Sequence, residues 1–139
     1  EGVVQTDPRN LSIFHSLKEL GVLLAIDDFG SGYSSFASLH HLATDYLKID
    51  KCFIDTMLSD DKAYTLVSTM VEMGHKLGYG IIAEGVETLE QLNILKKLDC
   101  EIVQGYLFSK PTSAAHISEL LRSDNHRRIL GQSLLNKIA

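Results

Sequence analysis

Carboxylate side chains end two short apolar runs of the sequence and could carry its chemistry. Asp27 and Asp28 follow the run 22–26, and Glu84 follows the run 80–83. Adjacent carboxylates repel each other, and divalent cations between them relieve that repulsion. The sequence predicts that Asp27 and Asp28 ligate metal ions, and that Glu84 either ligates a metal or accepts a proton from a water nucleophile. The alternative for one of the aspartates is a cap on the turn that follows.

A lysine and an aspartate mark the end of another apolar run. Lys48 lies inside the run 46–49, and Asp50 follows it directly. A lysine within a parallel strand is costly to bury without a carboxylate or phosphate partner. Lys48 is therefore interpreted as a fixed positive charge near a metal-bound water or a phosphate; the alternative is an ammonium that reaches water at the end of the sheet. Asp50 is predicted either to pair with Lys48 or to cap the following loop.

Glu87 and Gln104 complete the candidate set. Glu87 lies three residues after Glu84 and could hold a neighbouring loop. Its alternative role is a charge near the N-terminus of a helix that begins after Thr88. Gln104 ends the run 101–104 and could bind substrate or the ligands of a metal. The alternative for Gln104 is a plain amide at the edge of a sheet.

Helical and strand-like segments alternate along the chain and would position these residues. The predicted helices cover 8–20, 34–42, 62–77, 89–98, 113–122 and 125–138, and the predicted strands cover 22–26, 46–49, 80–83 and 101–104. Such alternation is typical of an α/β fold with parallel strands and right-handed crossovers. The carboxyl ends of the strands would then meet at one edge, where α/β enzymes keep their active sites. Four such units form either half of a (β/α)8 barrel or a small open doubly wound sheet.

Composition excludes several classes of protein. The chain has 139 residues, 45% of them hydrophobic, which is enough for one domain with a core. Its net charge of −5 and the lack of a basic run argue against binding of a nucleic-acid polymer. No apolar run approaches the ~20 residues of a membrane span, so we expect no membrane contact by this segment. Two cysteines without zinc-site spacing predict reduced thiols and a cytoplasmic location.

Four motifs together resemble the EAL family of bacterial cyclic di-GMP phosphodiesterases. They follow each other in the family's order and at its approximate spacing, and they cover most of the chain up to about residue 121. The motifs are DDFGSGYSS at 27–35, LKID at 47–50, AEGVET at 83–88 and QGYLFSKP at 104–111. Any one of them alone would be weak evidence, but the four in order are specific.

The resemblance implies a fold, a reaction and a set of roles. It implies a TIM-like barrel that hydrolyses cyclic di-GMP to the linear dinucleotide with two Mg²⁺ or Mn²⁺ ions. Asp27 would bind or bridge the metals with Asp28 beside it, and Lys48 would contact the water or phosphate region. Glu84 would be the metal-associated glutamate and general base. Divalent cations would neutralise the phosphodiester and lower the pKa of the attacking water.

The resemblance also implies roles around the site. Glu87 would steady the flexible loop 29–35, which in this family couples substrate binding, metal binding and dimerisation. That loop contributes Gly30, Ser31, Gly32 and Tyr33 to the candidate set. Gln104 would lie beside the active site, and Asp50 would support it.

The chain also departs from the family pattern. The tripeptide that names the family and the asparagine strand after it are absent, so we expect residues 1–139 to be the C-terminal half of the barrel. Glu1 in place of a starting Met suggests a piece of a longer protein, and Glu1 resembles a loop-supporting glutamate whose metal-ligating neighbour lies upstream. We expect the parent to be active, with a sensor or GGDEF-type domain upstream, and this piece alone to be inactive. The alternative is a catalytically inactive EAL-like domain that binds cyclic di-GMP or a protein partner.

A half barrel leaves two open sheet edges and an uncovered inner face. We therefore expect the chain to self-associate, most simply as a homodimer; the alternative is that it is the remainder of a proteolysed longer protein. Size-exclusion chromatography with light scattering measures its mass in solution. A stable monomer would contradict the expected pairing.

Overall fold

The structure of the protein is a computed structural model that describes residues 8–31 and 44–122. Its elements in chain order are α1 (Pro8–Glu19), β1 (Ala25–Phe29), β2 (Tyr46–Ile49), α2 (Lys51–Thr56), α3 (Asp61–Lys76), β3 (Gly80–Ala83), α4 (Leu89–Lys97), β4 (Ile102–Val103) and α5 (Ala114–Arg122). The predicted helices 34–42 and 125–138 lie outside the described residues. Among the helices that are described, none has the length and apolar character that a membrane span needs.

The strands form one parallel sheet in the order β1-β2-β3-β4. In a doubly wound sheet the strand order reverses at one point. Here each strand lies beside its successor, so right-handed crossovers place the connecting helices on a single face. A singly wound parallel sheet of this kind is an arc of a (β/α)8 barrel. The topology therefore selects the barrel from the two predicted alternatives.

The core lies between the sheet and the helices α2, α3 and α4. Alternate strand residues point into it and are completely buried, namely Leu47, Ile49, Ile81 and Ala83. The helices pack against them with Ile54, Val67, Val71, Leu92 and Leu95. The strand residues of opposite parity, Tyr46, Lys48 and Ile82, are only partly buried. The sheet thus has one face sealed by helices and another that is available for polar side chains.

Strand β1 begins at Ala25, so the predicted start at Val22 was wrong. The N–H of Val22 donates to the carbonyl of Leu17 at 3.1 Å and still belongs to the end of α1. The carboxylate of Asp45 accepts from the N–H of Leu24 at 2.7 Å, and the N–H of Asp45 donates to the carbonyl of Leu24 at 2.8 Å. The apolar run 22–26 therefore includes part of the connection before β1. Hydropathy does not show at which residue the hydrogen bonds to the neighbouring strand begin.

Helix α2 lies where the sequence predicts a loop. Asp50 is its N-cap, and the Asp50 carboxylate accepts from the N–H of Cys52 at 2.7 Å. Such a cap satisfies one of the unpaired donors of the first helical turn. Of the two predicted roles for Asp50 the structure has the cap, although it caps a helix rather than a loop. The helix is too short for a clear apolar period, and buried Ile54 is its main anchor in the core.

Helix α4 begins as the sequence predicts. Thr88 is the N-cap, and its hydroxyl accepts from the N–H of Gln91 at 3.1 Å. The side-chain oxygen of Gln91 accepts in return from the N–H groups of Thr88 at 3.0 Å and Glu87 at 2.8 Å. This capping box fixes the end of the turn between β3 and α4. Strand β4 is shorter than predicted and leaves Gln104 directly after its last residue.

Replacing Asp45 should destabilise the fold in a pH-dependent way. The carboxylate accepts from the Lys18 ammonium and from the Leu24 N–H, and these bonds hold the pKa of Asp45 below its ordinary value of 3.8. A lowered folded-state pKa gives stability that is present above the unfolded pKa and is lost as pH falls through the folded one. We expect Asp45→Asn to lower the melting temperature at about pH 7, and the difference from wild type to shrink below about pH 4.

A matched control is Asp55→Asn. Asp55 also pairs with a lysine, Lys51, but within one helix and with 45% of its side chain exposed. Exposed pairs of this kind contribute little to stability. Thermal unfolding followed by circular dichroism would measure both variants. A pH-independent difference for Asp45→Asn would contradict the proposed role of its charge.

Candidate metal and active site

Strand alternation places Lys48, Glu84 and Gln104 on the face of the sheet opposite the helices. Lys48 is in register with Ile82, and Ile82 is in register with Ile102. Glu84 and Gln104 come two residues after these partners, so they keep the same parity. Buried neighbours such as Ile49 and Ala83 point the other way, into the core. The carboxyl ends of three strands therefore direct polar side chains to one side.

An irregularity in β1 brings two successive carboxylates to this side. Ile26 is in register with Leu47 and Phe29 with Ile49, so β1 carries one residue more than β2 over this interval. Asp28 has a left-handed backbone with φ of 51°. A regular strand would direct Asp27 and Asp28 to opposite faces, and a bulge of this kind re-aims a side chain. The two aspartates thus reach the same side because of a bulge within the strand.

The bulge creates a cluster of carboxylates. Asp27, Asp28 and Glu84 can each offer one oxygen atom such that these oxygens lie within 4.8 Å of one another. The two aspartates are exposed, whereas Glu84 is partly buried. These are the residues that the sequence analysis predicted as metal ligands, and they come from two strands that are not adjacent. Strand β2 lies between them and supplies Lys48.

Lys48 bridges the two sides of the cluster. Its ammonium donates to Asp27 Oδ1 at 2.6 Å and forms an ion pair with Glu84. Lys48 and Glu84 each keep only 21% of their side chains exposed, compared with 65% for Asp27. The hydrogen bonds to Asp27 and then Glu84 raise the pKa of Lys48 above its ordinary value of 10.5. Lys48 is therefore a fixed positive charge, and its partners are these carboxylates rather than Asp50.

Negative charge remains in excess around Asp28. The carboxylate of Asp27 is the main cause of a raised pKa at Asp28, and loss of solvent and the nearby charges of Asp50 and Glu84 add to it. The thiol and backbone N–H of Cys52 instead lower the pKa of Asp50. One lysine thus faces several carboxylates. Hard oxygen ligands with uncompensated negative charge are the donor set that Mg²⁺ and Mn²⁺ prefer, so the cluster fits a divalent cation.

The other candidate residues lie around this cluster. The carboxylate of Glu87 is bound to the Lys51 ammonium at 2.6 Å. The side chain of Gln104 is exposed. The backbone of Gln104 bridges two neighbours, because its N–H donates to Ala83 at 2.8 Å and its carbonyl accepts from Val86 at 3.0 Å. The backbone of Gln104 thus binds the residues that flank Glu84 in the turn, and neither Glu87 nor Gln104 belongs to the carboxylate cluster.

The start of the loop after β1 is anchored at Gly30 and Ser31. Gly30 has φ of 95°, and an added Cβ would lie 2.6 Å from Met70 Cε and 2.8 Å from Phe53 Cε2. Only glycine fits this left-handed position against the side chains of α2 and α3. The N–H and hydroxyl of Ser31 both donate to the carbonyl of Asp28, at 3.2 and 3.0 Å. The candidate residues Gly32, Tyr33 and Glu1 lie outside the described residues.

Comparison with known proteins identifies the family. The model of the EAL domain matches residues 1–111 of the chain. The chain belongs to the EAL domain family. The relative NbdA of Pseudomonas aeruginosa, a cyclic di-GMP phosphodiesterase, is 44% identical over 115 residues, which cover 83% of this chain and 15% of NbdA. MucR of the same organism, a bifunctional diguanylate cyclase/cyclic di-GMP phosphodiesterase, is 41% identical over 108 residues, or 78% of this chain and 16% of MucR.

Solved EAL structures show the same fold. The EAL domain of Mycobacterium smegmatis DcpA matches with a TM-score of 0.80 and 35% identity, over 86% of this chain and 54% of that one. The MucR phosphodiesterase in complex with c-di-GMP gives 0.74 and 38% identity, over 82% and 46% of the two chains. The Klebsiella pneumoniae BlrP1 manganese/cy-diGMP complex gives 0.69 and 33%, over 78% and 28%. The predicted TIM-like α/β fold is confirmed, and the chain spans only part of each relative.

Neutralising Glu84 should weaken binding of divalent cations. The Glu84→Gln variant keeps the size of the side chain and removes one charge from the cluster. We expect the affinity for Mn²⁺ to fall by at least about tenfold, since loss of an outer-shell partner alone costs about 10–100-fold. Isothermal titration of the metal-free protein would measure it. Glu72→Gln, which breaks an exposed pair with Lys76 on α3, is the matched control, and equal affinities in the two variants would remove Glu84 from the site.

Proposed function

We propose that the protein to which this chain belongs hydrolyses cyclic di-GMP to the linear dinucleotide with Mg²⁺ or Mn²⁺ as cofactor. The observation that carries this proposal is the cluster of Asp27, Asp28 and Glu84 around the Lys48 ammonium in an EAL domain. Two relatives support the proposal: NbdA is named as a cyclic di-GMP phosphodiesterase, and BlrP1 has been solved as a manganese/cy-diGMP complex.

Charge explains why the cation would be needed. The chain carries a net charge of −5, and the cluster exposes Asp27 and Asp28 beside Glu84. A phosphodiester anion would be repelled by these carboxylates. Bound divalent cations would neutralise and polarise the phosphodiester and lower the pKa of the attacking water. Asp27, Asp28 and Glu84 would hold them.

The chain's own residues would then have distinct tasks. The ammonium of Lys48 holds the carboxylates of Asp27 and Glu84 and would offer a positive charge towards the water or phosphate region. Glu84, partly buried beside Lys48, would accept the proton of the attacking water. Gln104, whose backbone binds next to Glu84, would bind substrate at the rim. Asp50, by capping α2, and Glu87, by its bond to Lys51, would support the surrounding turns.

The proposal concerns the whole protein. The chain covers 54% of the DcpA EAL structure and 15% of NbdA, and the EAL tripeptide is not in it. We propose that upstream residues complete the metal site, so that residues 1–139 alone bind cations weakly and do not turn over substrate. MucR is named as a bifunctional diguanylate cyclase/cyclic di-GMP phosphodiesterase, which supports the presence of a further GGDEF-type or sensor domain in the whole protein. We also propose that the whole protein forms a homodimer.

A cytoplasmic location is proposed on the basis of the thiols. Cys52 and Cys100 are both free in the structure. Burial raises the pKa of Cys100 to about 12, and partial desolvation together with Asp50 raises the pKa of Cys52, which is exposed, to about 11. Thiols that stay protonated and unpaired suit a reducing compartment.

Hydrolysis by the full-length protein and its Asp27→Asn variant tests this function. We expect wild type to convert cyclic di-GMP to the linear dinucleotide with Mg²⁺ or Mn²⁺, and Asp27→Asn to lose at least about 100-fold in kcat, or about 2.7 kcal/mol. Chromatographic separation of the two dinucleotides would measure turnover. Asp61→Asn, at the exposed first turn of α3, should retain wild-type activity.

Two outcomes would contradict the proposal in different ways. Unchanged turnover in Asp27→Asn would remove Asp27 from the metal site. Binding of cyclic di-GMP by wild type without turnover, with either cation, would favour the inactive receptor instead.

A further inference from the structure

Lys51 lies where a lysine is disfavoured, at the first residue of helix α2. The positive N-terminal end of a helix repels a cation, and the first turn of α2 carries no acidic residue. The ammonium instead donates to Glu87 Oε1 at 2.6 Å and to Asp55 Oδ1 at 3.0 Å. These bonds, led by the one to Glu87, raise the pKa of Lys51 above 10.5. Lys51 thus ties the start of α2 to the turn between β3 and α4.

The aliphatic stem of Lys51 covers that turn at Gly85. A Cβ added to Gly85 would lie 2.3 Å from Cγ of Lys51 and 2.7 Å from its Cδ. Gly85 also has a left-handed φ of 71°. Glycine is required here for both reasons. The stem therefore packs directly on the backbone of the residue that follows Glu84.

The sheet holds the same turn from its other side. The N–H of Glu84 donates to the carbonyl of Ile49 at 3.1 Å, and the N–H of Val86 donates to the carbonyl of Gln104 at 3.0 Å. Val86 is completely buried. Gly85 lies between these two anchored residues and has the greatest intrinsic conformational freedom of the three. A change in the backbone conformation of Gly85 would therefore alter the orientation of Glu84. Lys51 packs on this glycine.

We propose that Lys51 is a positioning residue that fixes the Gly85 turn and so aims the carboxylate of Glu84 at the cation site. The inference rests on the proposed function of that site. Lys51 acts through the turn, because its ammonium is engaged by Glu87 and Asp55. The side chains of Lys51 and Glu87 are 47% and 45% exposed, and ion pairs this exposed contribute little to stability. The bond between Lys51 and Glu87 therefore affects the local geometry of the Gly85 turn rather than the stability of the whole fold.

The test compares Lys51→Met and Lys51→Arg in the full-length protein. Met keeps most of the stem and removes the charge, whereas Arg keeps both a long stem and a charge that can reach Glu87. Lys76→Met is the matched control, because Lys76 forms an exposed pair with Glu72 at 2.6 Å on α3. Three quantities are measured: the Kd for Mn²⁺, the kinetic constants for cyclic di-GMP, and amide hydrogen exchange of residues 84–88 in the metal-free protein.

We expect Lys51→Met to raise the Kd for Mn²⁺ by about tenfold, as loss of an outer-shell partner does in other metal sites. Exchange of residues 84–88 should accelerate, and kcat should fall more than KM rises. The melting temperature should stay near that of wild type. Lys51→Arg should restore metal affinity and exchange protection, and Lys76→Met should match wild type throughout.

Wild-type metal affinity and exchange in a folded Lys51→Met would overturn the inference while leaving the proposed function intact, provided that wild type hydrolyses cyclic di-GMP. Equal losses in Lys76→Met would overturn it as well, since any lysine would then serve. If wild type proves inactive, the proposed function fails separately. The Mn²⁺ and exchange measurements still decide the role of Lys51 in that case.

Discussion

Electrostatic repulsion among converging carboxylates is the constraint on which the site depends. A parallel sheet collects the carboxyl ends of its strands at one edge, and here Asp27 and Asp28 lie near the end of β1 and Glu84 directly follows β3. Within the described residues, Lys48 donates to Asp27 and pairs with Glu84, which offsets part of the repulsion. The raised pKa of Asp28 shows that part of it remains. A divalent cation would relieve the rest, so the excess negative charge of the cluster suits the binding of a cation.

The geometry of the site depends on backbone departures from regular strands. The bulge in β1 places Asp28 in a left-handed conformation and turns it to the side of Asp27. Gly85 places a second left-handed residue directly after Glu84, where Lys51 packs on it. A left-handed conformation is costly for a residue with a side chain such as Asp28 and persists where the surroundings hold it, whereas Gly85 adopts it without that cost. In this fold the holding contacts come from neighbouring strands and from the N-terminal end of α2.

Sequence patterns predicted the fold because they are local. Apolar runs followed by Asp27, Asp50 and Glu84 indicated strands, and the helical segment predicted after Thr88 is α4. The patterns failed where backbone partners decide the outcome: β1 starts at Ala25 because Leu24 is bound to Asp45. Helix α2 could not be predicted, because six residues are too few to show a helical period of apolar side chains. The candidate metal ligands could likewise be predicted from the sequence, since only a few types of side chain bind hard divalent cations.

By itself, the sequence determined the alternation of strands and helices, the candidate ligands Asp27, Asp28 and Glu84, and the lysine that accompanies them. Only the tertiary structure decided that the strands run in sequential order, that a bulge brings both aspartates to one side, and that Lys48 bridges Asp27 and Glu84 rather than pairing with Asp50. It also decided the pairing of Lys51 with Glu87, a residue that is distant along the chain. The physical reason is that composition and periodicity are properties of neighbours in sequence, whereas register, bulges and ion pairs are set by contacts between strands.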